Sequence, residues 1–220
     1  MDYILAPSIL AADFAVLGEE MRRTADNGAR YLHFDVMDGM FVPSISFGMP
    51  VLKSIHEVTE QVMDAHLMVQ EPVRYVEDFR DAGADIVTVH LEACEDVGAT
   101  LKKIKECGMK AGLSICPETR ACEVERYIPE IDMLLVMSVH PGFGGQKFIP
   151  ESLTKIRDIR NMAMAQGRDL DIQVDGGIYL SNVREVLDAG ANIIVAGSAI
   201  FKGDPEMNTR EFMEILKSYE

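Results

Sequence analysis

DNGARYLHFDV (26–36), DAGADIVTVHL (81–91), ECGMKAGLSI (106–115) and DAGANIIVAGS (188–198) repeat one phrase four times. Each leaves a polar helical segment, turns at a glycine and enters a short, largely β-branched apolar run. Gly28, Gly83, Gly108 and Gly190 stand where the C′ residue of a helix takes the left-handed conformation. The runs that follow are mostly apolar rather than strictly alternating, as strands covered on both faces are. Helix, glycine turn and buried strand in repetition signal βα units around a parallel sheet.

Outward from these phrases, eight such runs emerge: Tyr3–Pro7, Tyr31–Val36, Gln61–Leu67, Asp85–His90, Lys110–Ile115, Met133–Ser138, Asp171–Asp175 and Asn192–Ala196. Helical spacing fills EPVRYVEDFRDAG (71–83), GATLKKIKECG (98–108), PESLTKIRDIRNMAMAQG (150–167) and SNVREVLDAG (181–190). Phe212, Ile215 and Leu216 mark a closing helix in the tail, and FGMPVLKSIHEVTEQV (47–62) reads as helix only after Pro50. Strict alternation of eight strands with helices in 220 residues predicts a (β/α)8 TIM barrel, with residues 1–220 as one domain. A doubly wound open sheet is the structural alternative.

With 21 Lys+Arg against 36 Asp+Glu, the net charge of −15 disfavours nucleic acid or an anionic membrane surface as partner. An anionic substrate must then be held by local backbone dipoles. Cys94, Cys107, Cys116 and Cys122 form no Cys-x-x-Cys pair, which suits a reducing compartment. The N-terminal stretch has no signal-peptide character and no apolar run reaches membrane-spanning length, so the expected location is cytoplasmic.

Four of the five histidines, His33, His66, His90 and His140, fall at or just after a strand's C-terminal end, as do Asp35, Asp38 and Asp175. In a barrel that rim carries the active site. His56 lies in a helical segment and reads as surface. His33 and Asp35 share one face of their strand. Burying them together is costly unless they share a partner such as a metal. With His66 and Asp175 they offer two imidazoles and two carboxylates without a thiolate, which suits Zn, Fe(II), Mn or Co. A satisfied structural His-Asp pair is the plainer alternative. HPGFGGQ (140–146), VDGGI (174–178) and AGS (196–198) are glycine-bearing turns after strands six to eight, where backbone N–H groups can cradle a phosphate. Met37, Met68 and Met137 lie near strand ends, either as core filler or as site lining. Cys116, with no adjacent base evident, reads as a buried small side chain.

In order and spacing, APSILAADF (6–14), HFDVMDGMFVPSISFG (33–48), AHLMV with EP (65–72), MSVHPGFGGQKFIP (137–150), VDGGI (174–178) and VAGSAIF (195–201) resemble the ribulose-phosphate 3-epimerase family across essentially the whole chain. The resemblance implies a ribulose-phosphate-binding (β/α)8 barrel that interconverts D-ribulose 5-phosphate and D-xylulose 5-phosphate, in the pentose phosphate pathway, with one divalent metal ion per chain. It implies His33, Asp35, His66 and Asp175 as metal ligands that also meet the substrate, and Asp35 and Asp175 as the acid/base pair. Ser8 would contact the sugar. The phosphate would sit on Gly142, Phe143, Gly144, Gly145, Gly176, Gly177, Gly197 and Ser198, with Met37, Met68 and Met137 around the reacting centre. A homo-oligomer, dimer or hexamer, is also implied. His140 and Cys116 stand where many members carry Asn.

Epimerising a carbon beside a ketone removes a proton from one face and returns one to the other. Two carboxylates, one ionised and one protonated, suit that task, and a metal would stabilise the enediolate. Asp35 is expected to take the C3 proton and Asp175 to supply one. Rival readings are an epimerase for D-allulose 6-phosphate, a barrel lyase, disfavoured by the lack of a strand-end lysine, and a non-catalytic metal- or sugar-phosphate-binding protein.

Overall fold

All eight apolar runs become strands. In a computed structural model describing residues 1–220 they are β1 (Ile4–Pro7), β2 (Tyr31–Met37), β3 (Val62–Met68), β4 (Ile86–His90), β5 (Lys110–Ile115), β6 (Met133–Met137), β7 (Asp171–Asp175) and β8 (Ile193–Ala196). They pair in parallel in the order β1-β8-β7-β6-β5-β4-β3-β2. Ser8 pairs with His33 across the remaining seam, between β1 and β2. The sheet is thus a nearly closed barrel and not the open doubly wound alternative.

The covering helices are α1 (Leu17–Asp26), α2 (Met49–His56), α3 (Val76–Asp81), α4 (Val97–Glu106), α5 (Ser152–Ala165), α6 (Val183–Asp188), α7 (Ser198–Phe201) and α8 (Pro205–Lys217). Gly28, Gly83, Gly108 and Gly190 follow their helices with φ from 81° to 113°, the left-handed turn that the repeated phrase implies. α2 starts at Met49, one residue before Pro50, because a proline in the first helical turn forfeits no hydrogen bond. The strict alternation expected from the sequence fails once. Between β5 and β6 the chain winds through a 3₁₀ segment, Ala121–Glu130, with Pro129 inside it. In α8, Phe212 and Leu216 are buried while Ile215 is only partly covered.

Packing divides the barrel into levels. The outer sheet face and the helices share one large apolar cluster. Inside, Ile4, Tyr31, Ile86, Met133 and Ile193, at or near the start of their strands, form an apolar plug that continues through Ala6 to Val195 on the cavity wall. Above that plug the interior turns polar, with Asp64, Thr88 and Gln173 fully buried. Polar groups there are tolerable only if they bond to one another, and that need builds the site.

Candidate active site

Side-chain alternation sends pairs of residues inward from four strands: His33 and Asp35 from β2, Asp64 and His66 from β3, Thr88 and His90 from β4, Gln173 and Asp175 from β7. Asp64 anchors the deeper level. Its Oδ2 lies 2.8 Å from His33 Nδ1 and accepts from Gln173 Nε2 at 2.6 Å, and its Oδ1 accepts from Thr88 Oγ1 at 3.2 Å. A proton on His33 Nδ1, donated to Asp64, leaves His33 Nε2 with a free lone pair. That nitrogen lies 3.2 Å from His66 Nδ1 and 3.3 Å from Asp35 Oδ1, and His66 Nδ1 is 3.1 Å from the same oxygen. Ser8 Oγ donates to the other oxygen, Asp35 Oδ2, at 2.5 Å.

The donor atoms of His33, Asp35, His66 and Asp175 all lie within 4.8 Å of one another. A tetrahedral ion with N and O ligands at about 2.0–2.1 Å spaces them about 3.3–3.4 Å apart. The three edges among His33 Nε2, His66 Nδ1 and Asp35 Oδ1, 3.1 to 3.3 Å, agree, Asp175 lies within 4.8 Å of them, and the donor set suits Zn, Fe(II), Mn or Co. The four residues therefore fit a divalent ion.

In the metal-free chain the two carboxylates are pushed in opposite directions. Burial raises Asp35, but the charge of His33 and hydrogen bonds from His33 and His66 outweigh it and hold the carboxyl far below its usual range. Asp175 is pushed up to about 7, first by burial and then by the charge of Asp35. Burial likewise opposes the charge on His33, yet Asp35 and Asp64 hold it well above the ordinary imidazole value. His66 is pulled down to about 4 by burial, aided by the charges of His90 and His33.

Above the cluster opens a cavity of about 270 Å³. Ser8, Asp35, Asp175, Met37, Met68 and Met137 line it, together with Gly142, Phe143, Gly144, Gly145, Gly176, Gly177, Gly197 and Ser198 from the three glycine turns. Of the site residues that the family resemblance implies, His33 and His66 are not on its wall, being fully buried beneath it. The turns are closely fitted. A Cβ on Gly177, at φ +65°, would lie 2.4 Å from Phe148 N in the loop after β6. Ser198 Oγ is 3.0 Å from Tyr179 Oη at the same rim.

Other strand-end residues serve differently. Asp38 accepts backbone N–H groups of Met40, Phe41 and Gln70 and ties the loop after β2 to the one after β3. His140 lines the rim, its Nδ1 2.9 Å from Glu118 Oε1. Cys116 does have a basic neighbour, contrary to the sequence reading, because His90 Nδ1 lies 3.6 Å from its sulfur. Reading the sequence also passed over Asp64, Thr88 and Gln173. The signal was available, since each sits two residues before a strand-end residue already singled out and so shares its inward face.

Fold and site together define a (β/α)8 barrel that gathers imidazoles and carboxylates able to hold a metal ion at the same rim as glycine turns after its last strands. The model of the Ribulose-phosphate 3 epimerase family matches residues 4–201. Ribulose-phosphate 3-epimerase of Synechocystis is 50% identical over 200 residues, 90% of this chain and 87% of the relative. That of Bacillus subtilis is 47% identical over 198 residues, 90% of this chain and 91% of the relative. The chain belongs to the ribulose-phosphate 3-epimerase family. Its fold is also that of 3-hexulose-6-phosphate synthase from Salmonella typhimurium, with TM-score 0.74 at 21% identity over 99% of this chain and 100% of the other.

Proposed function

We propose that this chain interconverts D-ribulose 5-phosphate and D-xylulose 5-phosphate by two-base proton transfer at C3, within the pentose phosphate pathway. The observation that carries the reading is the placement of Asp35 and Asp175, from β2 and β7, on the wall of one cavity with glycine turns at its rim. In the ribulose-to-xylulose direction Asp35, ionised, takes the C3 proton, and Asp175, protonated, delivers one to the opposite face. The opposed shifts of the two carboxyls support that assignment. His33, His66 and Ser8 hold Asp35 in place. Met37, Met68 and Met137 shield the reacting carbon from water, while the turns at 142–145, 176–177 and 197–198 bind the phosphate through backbone N–H groups.

One divalent ion per chain (Zn, Fe(II), Mn or Co) is held by His33, Asp35, His66 and Asp175, and when bound it supplies positive charge where negative charge develops on the ketose oxygens. Acid–base transfer alone yields roughly 10²–10⁴-fold acceleration, so fixed charge must supply much of the remainder. We place the protein in the cytoplasm as a homo-oligomer, dimer or hexamer, with residues 1–220 as a single catalytic domain. No helix is long and apolar enough to cross a membrane.

The test is turnover of D-ribulose 5-phosphate in D2O by metal-loaded protein. The expected product is xylulose 5-phosphate carrying solvent deuterium at C3, with activity lost on chelation and in Asp35→Asn and Asp175→Asn. Wild-type turnover by either variant defeats the two-base scheme. Turnover of D-allulose 6-phosphate but not of the pentose would move the substrate to six carbons.

A further inference from the structure

On the far side of His66 three side chains of different chemistry converge, and neither the His/Asp cluster nor the anion cradle uses them. His90 ends β4, Glu92 follows two residues later, and Cys116 comes just after β5. Cys116 Sγ lies 3.6 Å from His90 Nδ1, Glu92 Oε2 lies 3.2 Å from the same nitrogen, and donor atoms of all three fall within 4.8 Å of one another. A tetrahedral ion with N and O at about 2.0–2.1 Å and S at about 2.3 Å sets edges of about 3.4 Å between N and O and about 3.6 Å between N and S. The two edges that meet at His90 Nδ1, 3.2 and 3.6 Å, are already close to those of a coordination shell. We propose that His90, Glu92 and Cys116 form a second, thiolate-containing metal site that takes thiophilic divalent ions such as Zn2+, Cd2+ or Co2+.

Further contacts prepare the three residues for this role. Glu92 Oε1 accepts from Cys116 N at 2.8 Å and from the Thr119 hydroxyl, which turns Oε2 toward His90. Outer contacts of this kind orient ligands in known metal sites. Ser114, two residues before Cys116 and the register partner of His90, is fully buried, and its hydroxyl has no hydrogen-bond partner. Three protein ligands leave one position for water, and Glu92, 24% exposed, provides an opening to solvent. Without an ion, burial and the charge of Glu92 hold the Cys116 thiol protonated. The same carboxylate attracts a dication, and coordination releases the thiol proton to the buffer.

This site communicates with the first through one proton, a consequence that rests on His66 being a ligand of the first ion. His66 Nε2 and His90 Nε2 are 2.9 Å apart, so one donates and the other accepts. When His66 Nδ1 holds an ion, the proton sits on His66 Nε2, His90 Nε2 accepts, and the His90 proton occupies Nδ1. When His90 Nδ1 holds an ion, its proton moves to Nε2, His66 must accept, and the His66 proton occupies Nδ1, facing Asp35. The two arrangements exclude one another, so an ion on Cys116 weakens the first site and inhibits.

Cobalt separates the two sites because only sulfur ligation gives a near-ultraviolet thiolate-to-cobalt charge-transfer band. The whole chain is stripped with chelator and titrated with Co2+. The band is expected to develop as Co2+ rises, to persist in Cys94→Ser, Cys107→Ser and Cys122→Ser, and to vanish in Cys116→Ser. Visible d–d absorption from the N/O cluster remaining in Cys116→Ser shows that this variant is folded, and Cys116→Asn serves if it is not. No band at any excess of Co2+, or a band that survives loss of Cys116, overturns the site. For the coupling, Cys116→Ser should tolerate about tenfold more Zn2+ before losing activity than wild type. Equal sensitivity would leave the site without inhibitory action. The cobalt band is read without substrate, so it stands or falls independently of the proposed epimerase activity.

Discussion

Three groups meet Asp64, and with His33 Nε2 turned toward the cluster all three are donors: His33 Nδ1, Thr88 Oγ1 and Gln173 Nε2. Asparagine at this position keeps shape and volume, and with its oxygen toward His33 Nδ1 and Gln173 Nε2 its NH2 can donate to the Thr88 hydroxyl, which turns to accept, so what is lost is the carboxylate's negative charge. His33 then has a neutral acceptor in place of the charged one that raises its basicity as a ligand. Asp64→Asn is expected to weaken divalent-ion binding about 10- to 100-fold, by metal titration followed calorimetrically, with the fold retained. Unchanged affinity would show that His33 needs no such anchor. Asp175 bears on stability. In the metal-free chain its folded value of about 7 stands above the ordinary 3.8. Below both values the group is protonated in folded and unfolded chains and contributes nothing. Between them the folded chain keeps a proton that the unfolded chain releases, so stability falls as pH rises. His66, pulled down to about 4, acts in the opposite sense over much of that window, so wild type alone conceals the effect. The difference between metal-free Asp175→Asn and wild type isolates it. Unfolding free energy should shift in favour of the variant between about pH 4 and pH 7, by at most about 4 kcal/mol. A difference that stays flat across this range would mean that Asp175 is not destabilised by its surroundings.

At the scale of elements, the turns after β6 and β7 act as one piece. Gly177 combines a φ of +65° with a Cβ position 2.4 Å from Phe148 N, so any side chain there both strains its own turn and pushes the neighbouring loop outward. Gly177→Ala should cost about 1–3 kcal/mol in urea unfolding and raise KM for the sugar phosphate more than it lowers kcat. Wild-type stability and KM in this variant would mean that the two turns are not coupled. The same elements show what the sequence makes legible. Strands covered on both faces write themselves as apolar runs, and a glycine at C′ marks where the preceding helix stops, so all eight strands are readable to within a residue or two. The connection from β5 to β6 is not. Of its buried residues, Ala121, Val124 and Tyr127 recur every third position, the period of a 3₁₀ helix, with Ile128 buried beside them, and Pro129 removes a backbone donor. In the site, Asp35, His66 and Asp175 are legible because they fall at or within two residues of a strand's end, whereas His33 lies mid-strand at the level of Asp64 and is legible only because it shares the face of Asp35. The supporting ring of Asp64, Thr88 and Gln173 shows its inward face by spacing, but a polar residue among apolar ones mid-strand gives no hint of which partners satisfy it. Convergence of His90, Glu92 and Cys116 depends on the register of β4 with β5, which no local pattern encodes.

For the molecule as a whole, closure and chemistry occur at the same seam. β1 and β2 meet through Ser8 and His33, and the same Ser8 hydroxyl holds Asp35, so the last join of the barrel also fixes one carboxylate of the site. The net charge, however, works against the proposed anionic substrate. A chain of net charge −15 repels an anion at long range, and the proposed glycine cradle would attract it only once the phosphate is within contact distance. Salt therefore acts on the two interactions unequally. Raising ionic strength from about 0.01 M to about 0.1 M shortens the screening length from about 30 Å to about 10 Å, which suppresses the repulsive field and leaves contact hydrogen bonds largely intact. For the proposed sugar-phosphate substrate, kcat/KM should rise over that range with kcat nearly constant. A non-coordinating salt must be used, because added phosphate or sulfate would compete for the cradle. This is the reverse of an electrostatically steered enzyme, whose association slows with salt. If kcat/KM instead falls as salt is added, the local potential at the mouth of the cavity is positive despite the net charge. The divalent ion would then be the first source to examine, by repeating the titration on metal-free chain with binding of a substrate analogue as the readout.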